Sequence, residues 1–572
     1  MKPAREQKTA DPGGLRRIAP ILAGLMVVQL WAGISFIRSA APTYDEPVHL
    51  TAGYSYWKTG RYRLNIADHP PLAEMLAAVP LLVLDPVLSL SHPDWIQMRR
   101  YPFSDFFLYH NRVPPGKLLD SGRIFLFVLL SLLLLPALAL WGFRLGGPVA
   151  AAGAAGAAVF CPVLVSNLAL VTTDGASAVL FFLVLWLLSG ERRGAREWAA
   201  AGACAGLALA SKFNMILLGP IAVGMLLLEL GPGRSPGSVP RIPWRGAALF
   251  AFCAFAALAL AYRFTQLPLF WYGLRDTLAR MDSGRASFLL GRHSNTGFAL
   301  YFPAALAVKT PIPILLLGFG SAAFGLFSWR RKLLWVILPL AAYFASAQLS
   351  KVQIGVRHLL PMMPLLALLA GWGASRLWSL GNRWRAFVAV LGVWLAASAF
   401  RVHPHYLAYF NEGAGGPAGG YRWLVDSNLD WGQDLKGLGD ILKEMGDPPV
   451  YLSYFGTADP AAYGIRFVPV VKNWNVPRDG DAVDPAASGR VLFAVSATNL
   501  QAQYITDKTV FDWLKPKHPI AVAGHSIFLY DLSADPEGRG HLAGLLALEG
   551  HPRAPALSKS LMSLAPPHGR GE

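Results

Sequence analysis

Eleven apolar runs set the terms for this chain, each long enough, or nearly so, to cross about 30 Å of hydrocarbon as a helix. They fall at roughly 18–37, 122–141, 148–166, 174–189, 198–210, 213–230, 246–264, 311–328, 333–349, 358–375 and 386–401. Charged residues make up 15% of the sequence and hydrophobic ones 54%, whereas an ordinary soluble domain carries about 25% charged residues. The expected fold class is a polytopic α-helical membrane protein with about 11 transmembrane helices.

The net charge of +17 invites a nucleic-acid reading, but its distribution opposes one. From Val402 onward there are 14 lysines and arginines against 18 acids, a net −4, which leaves +21 on the apolar part. With the N-terminus inside, thirteen basic residues sit in the inner loops: Arg144, Arg192, Arg193, Arg196, Arg234, Arg241, Arg245, Arg330, Arg331, Lys332, Arg376, Arg383 and Arg385. The short outer connections hold only Lys212, Lys351 and Arg357. The positive-inside rule then orients the chain, with residues 1–17 a basic cytoplasmic start and the tail outside. The first run reads as a retained anchor, a cleaved signal peptide being the weaker option. Cys161, Cys204 and Cys253 all lie in apolar runs, so no outer disulfide and no zinc-type spacing is present.

The expected organisation is a catalytic membrane domain over 18–401 with two long outer loops, 38–121 and 265–300. Residues 71–84 read as a helix lying in the interface. Residues 402–547 read as a small extracytoplasmic α/β domain, with a helix at 434–445 and strands near 450–455, 490–495, 519–523 and 527–530. The last 25 residues, 548–572, read as disordered.

Ionisable residues are nearly absent inside the runs, and those at run ends that are not inner-loop bases stand on the outer side. Asp45, Glu46 and His49 follow the first run; Asp174, Lys212, Lys309, Lys351, Arg357 and His358 border later ones. A transporter would be expected to place such groups near the midplane; this distribution favours chemistry on a lipid headgroup at the outer surface. Sugar transfer from a lipid phosphate needs a base for the acceptor hydroxyl, which Asp45 or Glu46 supplies. It also needs cations for the departing phosphate, for which Lys212, Lys309, Lys351 and Arg357 are candidates. A divalent metal is a further option, with His49, His69 and His293 beside Glu46. Bland alternatives stay open: Asp-Glu before Pro47 caps a helix, lone Lys and Arg at helix ends snorkel, and the histidines are ordinary surface residues.

In combination, Asp45-Glu46, His69-Pro70-Pro71-Leu72, Thr172-Thr173-Asp174, Ser211-Lys212 and Gly355-Val356-Arg357-His358-Leu359-Leu360-Pro361 resemble glycosyltransferase family 39 over roughly residues 15–405. That family includes the polyprenyl-phosphate-mannose–protein mannosyltransferases and is similar to the bacterial aminoarabinose transferase of lipid A. The resemblance implies a GT-C fold in the bacterial inner (plasma) membrane and an inverting enzyme using a polyprenyl-phosphate sugar, with a protein, lipid or glycan acceptor. It makes Asp45 the catalytic base and Glu46 its structural or metal-linked neighbour. Tyr44, Asp174, Lys212, Arg357 and His358 line the cavity, and His69 stands where the aminoarabinose transferases have a phosphate-contacting Lys. Glu46 and His293 are the candidate metal ligands. A flippase of lipid-linked sugars and a noncatalytic cell-envelope assembly protein are the rival readings.

In the tail, Asp426-x-Asn428-x-Asp430 superficially looks like a calcium loop. Gly432 falls at the seventh position and Gly437 at the twelfth, where an EF-hand needs Gly at the sixth and Glu at the twelfth. A tight turn and helix start packed over the site mouth is the expected role, with a second acidic site as the alternative.

Overall fold

The computed structural model describes residues 12–190, 193–230, 244–328 and 330–564. Residues 1–11 and the inner-loop positions Arg192, Arg234 and Arg241 lie outside the described residues. Each of the eleven apolar runs is largely helical. Among the described residues, five helices are long and apolar enough to cross a membrane, or up to seven when two bent pairs each count as one span. This is a multi-pass membrane protein, and the count of eleven is not reached on length. The reason is local: Ala195–Leu209 and Ile312–Phe327 have 15 and 16 residues, or roughly 22–24 Å at 1.5 Å per residue. The runs at 122–141 and 148–166 share one helical stretch, Pro115–Val159, broken at Gly146 and Gly147, where φ reaches 74°.

The spans pack through small residues. A Cβ on Gly371 would stand 2.4 Å from the Ala154 nitrogen, so helix Met363–Trp378 touches the 115–159 stretch backbone to backbone. Gly206 meets the Ala254 carbonyl in the same way. Close approach at Gly and Ala is how helices gain packing where lipid offers no hydrophobic drive.

Two expectations about the loops and tail need correction. The interface helix over 71–84 is two short helices, Leu72–Ala77 and Leu81–Leu84, parted at Pro80, because proline lacks the N–H that a continuing helix needs. The tail expected to be disordered over 548–572 contains a helix, Ala554–Ser563, whose Leu557 and Leu561 are buried; residues 565–572 lie outside the described residues. A two-stranded hairpin in the second outer loop, β1 (Ser287–Leu289) and β2 (Arg292–Ser294), was not expected either.

The C-terminal domain has the expected α/β character. Its strands are β3 (Val450–Ser453), β4 (Phe467–Val471), β5 (Leu492–Ser496), β6 (Ala521–Ala523) and β7 (Ile527–Asp531), in the order β4-β3-β5-β7-β6. β3 is parallel to both β4 and β5, while β5–β7 and β7–β6 are antiparallel. β4 escaped the sequence reading because it contains Pro469, which only an edge strand tolerates. Helix Leu435–Glu444 covers the sheet with Leu435, Leu438 and Leu442 buried.

Two buried cations tie the parts together. Arg123, on the 115–159 stretch, donates from Nε and Nη2 to Glu46 at 2.8 and 2.5 Å, and to the carbonyls of Ala40 and Ala41 at 2.9 Å each. Lys309 donates to the carbonyls of Leu407, Tyr409 and Asn428, fastening the start of the tail to the helical body. Arg123→Ala is expected to destabilise the protein by about 3–5 kcal/mol, since it leaves Glu46 charged, buried and unpaired. Thermal unfolding of the detergent-solubilised chain checks this; an unchanged transition would remove the stapling role.

Candidate active site

The backbone leaves helical geometry at four places on one end of the body, and each brings a charged residue. Ser39 ends the first helix, and Asp45 stands in the turn before helix Glu46–Thr59. Helices Pro162–Ala169 and Thr173–Leu188 meet at a 115° bend, with Asp174 in the first turn of the second. Lys212 is extended after helix Ala195–Leu209. Arg357 lies in a 3₁₀ turn, Val356–Met362, before helix Met363–Trp378. Irregular backbone of this kind is tolerated in a membrane protein where it is enclosed by protein or lines a cavity.

These four charges converge. Arg357 Nη1 lies 4.0 Å from Asp45 Oδ2 and 3.6 Å from Asp174 Oδ2. Lys212 Nζ donates to Asp174 Oδ1. Arg357 stacks on Trp431, 4.1 Å from the ring centroid, and its buried Nε has no hydrogen-bond partner. Its ion pairs are long and one donor is unspent, unlike Arg123, whose Nε and both Nη groups are engaged. His358 sits beside the same charges.

Asp45 occupies the N-cap position of its helix, yet its side chain makes no capping bond. Oδ1 instead accepts from the Tyr101 hydroxyl at 2.9 Å. A quarter of the side chain stays accessible although protein surrounds it closely, as on the floor of a recess. Burial alone would raise its carboxyl, but Arg357, His49, Arg285 and the Tyr101 bond outweigh that and hold it below the usual carboxylate range. Asp45 is therefore ionised at neutral pH.

Glu46 has a different situation. It is fully buried, and besides Arg123 it accepts from the Thr43 amide and hydroxyl and the Val171 amide, at 2.8–2.9 Å. It is a structural anchor with no lone pair turned toward the recess. The metal expectation fails on the donor set. Glu46 is spent on Arg123, His293 Nε2 lies 2.7 Å from the Gln501 carbonyl oxygen, and among the described residues no three His, Cys, Asp or Glu side chains gather as metal ligands. His49 Nδ1 lies 2.8 Å from Glu74.

Other expected phosphate ligands part company from the cluster. Lys309 spends its ammonium on tail carbonyls. Lys351 is exposed and pairs with Asp282 at 2.9 Å. His69 does face the site, with its ring 4.9 Å from His49, but burial, with His49 next, pushes it down to about 3. It is neutral at physiological pH and brings no cation.

The tail motif proves to be the clamp on Arg357. The Asn428 side chain accepts from the Val356 amide at 2.8 Å, Ser427 donates to the Ile354 carbonyl at 2.8 Å, and a Cβ on Gly355 would collide with Ser427. Asp426 accepts from the Tyr504 hydroxyl and Asp430 from the Thr498 amide, and burial pushes the Asp430 carboxyl up to about 7. Apart from Asp430 Oδ1, which has no partner, these oxygens are held by protein groups, so the motif acts as a brace. Tyr101, Trp431 and Arg123 were missed in the sequence; only Arg123, a lone charge at the end of an apolar run, carried a signal. A surface cavity of about 560 Å³ lined by Trp513, Glu537 and His541 contains no Lys or Arg and offers nothing to a phosphate.

Residues 116–260 match the dolichyl-phosphate-mannose-protein mannosyltransferase family. That segment carries the family resemblance. Asp174 and Lys212 fall inside it, and Asp45 and Arg357 outside. No curated protein matches the chain. Among solved structures, the chain is similar to ArnT from Cupriavidus metallidurans bound to undecaprenyl phosphate, at 14% identity and a TM-score of 0.48 over 90% of this chain and 98% of that one. It is also similar to the oligosaccharyltransferase AglB from Archaeoglobus fulgidus in complex with an inhibitory peptide and a dolichol-phosphate, at 11% identity and a TM-score of 0.48 over 88% and 73%.

Removing Arg357 takes away the main charge holding Asp45 ionised. In Arg357→Ala, Asp45 is expected to take up its proton at a higher pH than in the unaltered protein, because the largest charge favouring its ionised form is gone. Infrared difference spectra of this variant with and without Asp45→Asn follow the carboxyl band; an unmoved titration would mean that Arg357 does not govern Asp45.

Proposed function

We propose that this protein is a membrane glycosyltransferase moving a sugar, a hexose in our reading, from a polyprenyl-phosphate carrier to an acceptor hydroxyl. The reading places it in the bacterial inner (plasma) membrane, N-terminus cytoplasmic, with residues 18–401 as the catalytic body and 402–547 as an extracytoplasmic domain. The single observation that carries it is the meeting of an ionised acid with cations from distant segments, where Arg357 keeps an unpartnered donor. The match of residues 116–260 to a lipid-phosphate sugar transferase family supports it.

Lys212 and Arg357 hold the carrier phosphate through charge-assisted hydrogen bonds, the arginine in two-pronged fashion. Asp45 Oδ1 removes the proton of the acceptor hydroxyl, whose oxygen attacks the anomeric carbon from the face opposite the phosphate. The carbon–oxygen bond to the phosphate breaks, and the carrier leaves with one more negative charge, which the two cations stabilise. The anomeric configuration inverts. A phosphate that draws Arg357 away from Asp45 also removes the main charge depressing that carboxyl, so carrier binding makes Asp45 a stronger base. Asp174 orients both cations, and no step passes through a metal.

Asp45→Asn is expected to lower kcat about 10²–10⁴-fold, the usual worth of a positioned base, with undecaprenyl phosphate binding retained. Lys212→Ala and Arg357→Ala should each weaken that binding about tenfold or more, given roughly 1.5–3 kcal/mol per charged hydrogen bond, whereas Lys351→Ala should leave it unchanged. Transfer from radiolabelled polyprenyl-phosphate sugars and calorimetric binding in nanodiscs measure these quantities. Full activity in Asp45→Asn would overturn the role of the acid, and lipid-linked sugar crossing vesicles without a covalent product would make the protein a flippase.

A further inference from the structure

The two oxygens of Asp45 look toward different surroundings. Oδ2 faces Arg357 and the charged cluster. Oδ1 is bonded to Tyr101, whose ring begins a wall of five aromatic side chains from five separate parts of the chain. Tyr101 meets Tyr44 edge to face with centroids 5.8 Å apart, and Tyr44 meets Phe455 at 5.1 Å and Trp474 at 6.2 Å. Tyr504 stacks on Phe455 at 5.4 Å and meets Trp474 at 5.6 Å.

Most of this wall is packed protein, but Trp474 is 56% exposed, and its indole N–H has no partner among the described residues. Polar groups border it. Asn475 donates to the Tyr44 hydroxyl at 2.8 Å, and that hydroxyl donates to Asn473 at 3.2 Å. Asn473 and Asn475 are both partly exposed. Arg285 lies over the Tyr504 ring, 5.4 Å from its centroid. A flat, exposed indole costs apolar hydration unless something covers it, and a ligand with one apolar face and hydroxyls around its rim suits an aromatic surface edged by amides. A pyranose ring has that form: its axial C–H bonds lie on a ring face and its hydroxyls point outward, toward a rim where Asn475 Oδ1 has no partner among the described residues while Asn473 is held by the Gly456 carbonyl and the Asn475 and Val476 amides.

We infer that the acceptor is a carbohydrate, and that one of its rings stacks on Trp474 so that a hydroxyl is offered to Asp45. The inference rests on the proposed role of Asp45 as base. It assigns the aromatic side of Asp45 to the acceptor because the cationic side is already matched to the carrier phosphate. A peptide acceptor has no comparable ring face and would not depend on the indole in this way.

Saturation-transfer NMR on the full chain in nanodiscs, with the methyl glycosides of glucose, galactose, mannose and N-acetylglucosamine as probes, tests the stacking. At least one glycoside should receive saturation on the protons of one ring face. The signal should fall fivefold or more in Trp474→Ala and persist in Trp474→Phe and Asp45→Asn. Calorimetric undecaprenyl phosphate binding in the same samples should be unchanged by Trp474→Ala, which also reports that the variant is folded. No transfer to any glycoside, transfer indifferent to Trp474→Ala, or a Trp474-dependent signal from a serine/threonine peptide would each overturn the inference. Loss of carrier binding in the unaltered protein would instead strike the transferase reading, while the glycoside signals still judge the aromatic wall.

Discussion

A guanidinium and a carboxylate sealed from water are tolerable only when they satisfy each other, and the Arg123–Glu46 pair meets that condition with every donor spoken for. Such a pair adds little net stability over an apolar one, but its geometry is demanding. The pair holds the Ala40–Glu46 turn against the 115–159 stretch and, through the Val171 amide, against the bend before Asp174. Asp45 is the next residue along from this anchor. Two adjacent acids therefore have opposite duties: one is neutralised to fix the turn, and the other is left with an accessible edge.

The same economy separates the basic residues. Lys309 and Arg123 have their donors saturated by carbonyls or carboxylate and act as fasteners. Arg357 and Lys212 share the Asp174 carboxylate, and Arg357 retains an unsatisfied Nε. A buried polar atom without a partner costs on the order of 1–3 kcal/mol, so its presence marks a place where the fold gives up stability. The tail enforces this arrangement. Backbone bonds from Ala41 and Tyr44 to Gln433 and Trp431, at 2.7 and 2.8 Å, join the two halves of the site. Without the tail's Trp431, Ser427 and Asn428, neither the stacking nor the backbone of the Arg357 turn would be held.

Legibility in the sequence followed the range of the interactions involved. The apolar runs, the helix over 435–444 and four of the five sheet strands were visible because each is written in a stretch of consecutive residues. The edge strand with Pro469 and the helix over 554–563 were not, since tertiary packing overrides weak local preference there. The acid Asp45 and the cations Lys212 and Arg357 could be picked out by their placement at run ends. Lys309 and Lys351 had the same placement and the same charge, and nothing in their neighbours along the chain distinguishes a fastener or a surface ion pair from a site cation.

By itself the sequence determined a helical membrane body with its unpaired charge at one end and a small α/β unit after it, because hydrophobicity along a run is a one-dimensional property. Only the tertiary structure decided which charges share a recess, which of Asp45 and Glu46 is free, and that His69 is neutral. Those outcomes depend on a 115° bend, a 3₁₀ turn and a tail folding back across more than 380 residues of chain to Asp45. No local pattern encodes such distances, since they arise only when separate segments compete for the same donors and acceptors.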